Sequence, residues 1–95
     1  MATNDFLRPL RDPARAIYDA FQAEAAQRAA RTGLEWVELE RMAVWRAARD
    51  YAQQHGLHVP TLDQIQRAEI YAAGSADYGA VWAYQVERAM QETSA

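Results

Sequence analysis

Apolar residues recur along this chain at helical rather than alternating spacing, in four blocks separated by glycine or proline. Ile17, Tyr18, Phe21, Ala25 and Ala29 follow a period of about 3.6 residues, which predicts a first helix. Asp12-Pro13 opens it, because Asp accepts from free backbone N–H groups and Pro gives up an N–H that would have no partner. Gly33 is expected to stop it. A second helix is expected from Glu35 to His55, closed by Gly56. About Val44, turning about 100° per residue, Val37, Ala48 and Tyr51 form an inner stripe. Trp36, Trp45, Ala47 and Ala52 widen that stripe on both sides, while Leu39 and Met42 fall nearly opposite. So broad an apolar arc implies a helix covered on most sides or one that shows an apolar patch to a partner.

Pro60 resists helix in the residue before it, so 57–60 is a connector. Thr61 and Gln64 then form a capping box. The third helix should run over 62–73, with Leu62, Ile65, Ala68 and Ala72 inward, and end at Gly74. Ser75 or Asp77 caps a fourth helix over 77–91, with Tyr78, Trp82, Val86 and Ala89 as its inner face. The pattern predicts an all-α fold: one domain of about four helices over 13–92, a bundle whose crossing angles stay open. Residues 1–12 form a lead-in carrying Phe6, Leu7 and Leu10, and 93–95 a frayed tail.

Composition narrows the function. The chain has 95 residues, few Gly and Pro, and an apolar share of 51%, which suits one helical domain with a modest core. All ten basic residues are Arg, and the net charge is −3, so the basic surplus of a typical nucleic-acid binder is missing. There is no Cys, hence no disulfide, thiolate nucleophile or Cys-bound zinc. No basic segment followed by an apolar run opens the chain, and no run is long enough to span a bilayer, so a cytoplasmic protein without membrane association is expected.

Candidate chemistry is thin. His55 and His58 have the spacing of half a metal site, but Gly56 between them breaks the helix, and they are read as loop histidines. Glu35, Glu38 and Glu40 cluster at the start of helix two, where acidic residues complement the helix dipole, and they are read as a solvated helix start. Serine occurs only at Ser75 and Ser94, and no Gly-rich phosphate loop is present. No catalytic set, cofactor or metal is expected. The protein is expected to work by binding.

Two binding readings follow. In the first, apolar and Arg side chains off the core faces form a protein-docking surface, since aromatics and Arg dominate binding hot spots. The candidates are Leu39, Met42, Trp45, Arg46 and Arg49 on helix two. Ile70 and Tyr71 on helix three and Tyr84 on helix four complete the set. The partner is a protein, a second copy of the chain included. In the second reading, residues 45–73 form a helix-turn-helix. Ala52 lies at the crossing, Gly56 at the turn, and Leu62 and Ile65 are the anchors, so that Thr61, Gln64, Gln66 and Arg67 face a DNA groove.

The segment Arg67–Tyr84 contains a Gly, a short polar stretch, Asp77-Tyr78 and an aromatic-alanine run. In these features it resembles a segment of small helical phage and prophage accessory proteins, with Val81 where those carry a basic residue. The resemblance covers under a third of the chain. It implies a short protein of a mobile element that occupies a host protein's surface, as inhibitors of host defence complexes do. It assigns no active residue.

Overall fold

The computed structural model describes residues 13–30 and 35–92, the side chains of Glu35 and Glu92 excepted. Asp12, Gly33, the lead-in and the tail lie outside the described residues. Those described form four α-helices with no strand among them: α1 (Pro13–Ala25), α2 (Glu35–His55), α3 (Leu62–Ala72) and α4 (Tyr78–Glu92). None is long and apolar enough to cross a membrane.

Local chemistry explains most boundaries. Gly56 (φ 70°) ends α2 in the left-handed conformation, and Leu57 N–H reaches back to Ala52 O at 2.9 Å, the closing bond of a Schellman motif. The capping box at Thr61 is complete. Thr61 Oγ1 accepts from Gln64 N–H at 3.1 Å, and Gln64 Oε1 accepts from Thr61 N–H at 3.0 Å. Gly74 (φ 88°) follows α3. Asp77, not Ser75, caps α4, its Oδ1 accepting from Ala80 N–H at 3.2 Å.

The first helix departs from expectation. Its α-helical part ends at Ala25, and a separate 3-10 turn covers Arg28–Ala30. The alanines beyond Ala25 favour helix but bring no large apolar surface to bury, and Ala29 is exposed. What fixes the turn instead is Arg28, which reaches across to α2.

The core lies between α1, α2 and α4, with α3 laid against α4. Ile17 and Phe21 from α1, Val44, Ala48 and Ala52 from α2, Ile65 and Ala72 from α3, and Trp82, Val86 and Met90 from α4 are all buried in it. Phe21 meets Trp82 and Tyr78 edge-on, with ring centroids 5.6 and 5.7 Å apart, the geometry the ring quadrupole favours. Gly79 makes this possible: a Cβ there would sit 2.6 Å from Phe21 Cε2, so only glycine lets α4 approach α1 so closely. The indole N–H of buried Trp82 donates to Ile65 O at 3.1 Å and ties α4 to α3. That of Trp45 donates to Pro60 O at 2.9 Å and ties α2 to the connector. No buried side-chain polar atom among the described residues lacks a partner.

Candidate interaction surface

Three large apolar side chains stand out of the described surface, and all three are on α3: Leu62 (46% exposed), Ile70 (74%) and Tyr71 (67%). Leu62 was expected to point inward. It opens α3 on the side turned to α2, where an open groove remains, and it lines that groove with Met42, Glu38 and Arg41. Ile70 lies two turns further along the same edge, in an adjoining depression of about 380 Å³ that shares Arg41 and Gln66 with the first. Tyr71 sits on the other flank of α3, in a groove of about 300 Å³ shared with α4. The apolar candidates of α3 therefore divide between two grooves rather than forming one patch.

The structure places the remaining candidates differently. Leu39 and Met42 are half-buried rather than exposed. Trp45 is half-buried, packs on the core and carries Arg49 over its ring at 5.0 Å. Arg49 also pairs with Asp50 at 3.0 Å, and Arg46 is exposed. Tyr84 was expected to point outward, opposite Trp82; instead it is half-buried and packs against the core. The cause is the phase of α4. Gly79, Ala80 and Ala83 are buried, which turns the buried arc roughly a sixth of a turn from the one centred on Trp82.

Of the residues offered to a DNA groove, Thr61 and Gln64 are occupied by the cap. Gln64 Oε1 also accepts from His58 Nε2 at 3.0 Å, which puts a proton on that ring nitrogen. Arg67 pairs with Asp63 at 3.1 Å, and Gln66 is exposed. His55 stacks on Tyr51 with ring centroids 4.1 Å apart, so the two histidines take separate neighbours. Among the described residues no three His, Cys, Asp or Glu side chains come together as metal ligands would.

Beside these grooves lies a polar network that the sequence reading missed. Glu40, expected in a solvated helix start, is 2% exposed. Arg28 Nε and Nη2 donate to its two oxygens at 2.9 Å each, a bidentate pair, while the guanidinium lies over the Trp36 ring at 4.4 Å. The Arg28 pKa is raised, chiefly by the hydrogen bond to Glu40 and also by its charge, with burial opposing. Glu38 is exposed, whereas the side chain of Glu35 lies outside the described residues. Two turns of α3 from Leu62, Glu69 takes a bond from Arg41 Nε at 2.9 Å and one from the Tyr78 hydroxyl at 3.2 Å, joining α2, α3 and α4. The Tyr78 pKa is raised, first by burial and then by the charge of Glu69 and the hydrogen bond to it, so the phenol keeps its proton and donates.

A signal for Glu40 was present. It falls about 40° from Val44 on the helical wheel, inside the buried arc, where an acid requires a cation beside it. No protein-family model, curated protein or solved structure matches this chain, so the surface itself carries the functional reading.

Proposed function

We propose that this chain is a non-enzymatic accessory protein that acts by occupying the surface of another protein, with α3 as its docking helix. The observation that carries this reading is the exposure of Leu62, Ile70 and Tyr71 on one helix of 11 residues. Singly exposed apolar residues are ordinary. Three on one short helix, with grooves on both flanks, are what a separated interface leaves uncovered. The ionisable groups that do cluster are already bonded to one another across helices, which favours a structural use over a catalytic one. The likeness of Arg67–Tyr84 to small phage proteins takes in the end of α3 and the start of α4. It points to a host protein as partner, such as a component of a defence complex, met in the host cytoplasm.

Affinity capture from a lysate of the native host cells tests this. A partner held by the wild type should be lost from an Ile70→Ser, Tyr71→Ser double variant whose circular dichroism and Tm are unchanged. It should be kept by Arg15→Ala, a change on the exposed side of α1. Equal capture by the double variant would end the assignment of α3. Size-exclusion chromatography with light scattering reports whether the partner is a second copy.

A further inference from the structure

The solvent face of α3 has the same pattern read from either end. Leu62, Gln66 and Ile70 recur every fourth residue and are all exposed, so they form one ridge with an apolar side chain at each end and an amide at its centre. Asp63 and Arg67 form a second row beside it, joined at 3.1 Å, with side chains 68% and 79% exposed. Toward α2 the ridge is bordered by the two adjoining depressions, which Leu62 and Met42 line at one end and Ile70 and Ala73 at the other. Both signs of charge stand on these walls, Arg41 and Arg67 with Asp63 and Glu69. A partner of one strong charge would meet repulsion here as well as attraction, whereas a surface carrying the same two signs in reverse order would match it.

We infer that this face takes a second copy of the chain, α3 packing antiparallel on α3 across a two-fold axis at Gln66, an inference that rests on the reading of α3 as the docking helix. A two-fold contact needs one patch that complements itself. Rotation about Gln66 sets Leu62 level with Ile70 of the partner subunit and Ile70 level with the partner subunit's Leu62. Each apolar end of the ridge is thus met by the other, beside a depression that gives it room. Asp63 and Arg67 lie on one side of the ridge, at about +60° and about +100° from Gln66 on the helical wheel. The rotation keeps them on that side, so Asp63 comes within about 3 Å along the helix axis of Arg67 of the partner subunit, at about 1.5 Å per residue. The existing pair need not break. A guanidinium binds two carboxylates through separate N–H groups, and the four side chains close a ring of alternating charge. At the axis the two Gln66 amides each hold a donor and an acceptor for the other. A nucleic acid is disfavoured by Asp63 and Glu69 on the same walls.

Sedimentation velocity with light scattering on the full chain, from micromolar concentrations to about 1 mM, provides the test, because a contact of this size associates weakly. The wild type should pass reversibly from monomer to dimer. Asp63→Arg and Arg67→Asp each leave a single sign of charge in the second row. Each should lower the association constant at least about tenfold while keeping the circular dichroism of the wild type. Mixed one to one, the two variants should recover wild-type association, since every Arg again faces an Asp; a variant that had merely lost its fold would not be repaired by mixing. Tyr71→Ser, on the other flank of α3, should dimerise as the wild type does. The inference is overturned by a wild type that stays monomeric at about 1 mM, by single variants that dimerise as well as the wild type, or by a mixture no better than its components. If the chain stays monomeric while the Ile70→Ser, Tyr71→Ser variant still loses its captured partner, α3 remains the docking helix for a different protein and only self-association is lost.

Discussion

The contact of α4 with α1 and its contact with α3 both use small residues, to opposite ends. Against α1, Gly79 removes a Cβ and the Phe21 ring occupies the space, with Tyr78 and Trp82 closing round it. Against α3, Ala68 and Ala89 also clear space, but the nearest large ring, Tyr71, stays 67% exposed and a groove is left. A small residue at a helix crossing thus sets only how near two helices come. Whether the result is a core or a cleft depends on a large side chain being in register to fill it.

The sharpest way to break this contrast is at its filled end. Trp82→Ala should cost about 3–5 kcal/mol in urea unfolding, since it deletes a buried ring and the donor to Ile65 O. A loss under about 1 kcal/mol would mean that α4 does not form the core. Gly79→Ala should destabilise by about 1–3 kcal/mol through overpacking on Phe21, even though alanine is the better helix former. Phe21→Leu in the same chain should recover part of that loss. If Gly79→Ala stabilises, the close approach of α1 and α4 is wrong. Arg28→Ala should cost about 1–3 kcal/mol, because it leaves Glu40 buried without its donor. A silent Arg28→Ala would place Glu40 in water after all. At the open end, Tyr71→Ala should shift stability by no more than about 0.5 kcal/mol, whereas Tyr84→Ala, packed on the core, should cost about 1–2 kcal/mol. Equal effects of the two would erase the difference between the faces.

What was legible in the sequence is what is local. The capping box at Thr61 and Gln64, a cap at Ser75 or Asp77 before α4, of which Asp77 serves, and the stops at Gly56 and Gly74 each follow from chemistry within a few residues, and the span of α2 followed with them. What was not legible depends on distant partners. Arg28 and Glu40 are 12 residues apart in sequence, and the 3-10 turn that joins them interrupts a run of good helix formers. The phase of α4 was misjudged because Gly79, Ala80 and Ala83 carry too little apolar surface to register beside Trp82 and Tyr84. Of the surface, Ile70 and Tyr71 were expected to be exposed and are. Leu62 was missed because a leucine opening a helix reads as core unless one knows that α2 leaves that edge uncovered.

The start of α3 is anchored several times over. Trp45 holds Pro60, Gln64 holds both Thr61 and His58, and His58 N–H donates to Met90 O at 3.3 Å near the end of α4. A molecule that settles on this helix meets it preorganised, with little ordering entropy left to lose on association. Loosening the anchors, for instance by His58→Ala, should therefore weaken capture by speeding dissociation, although His58 itself lines neither groove beside α3.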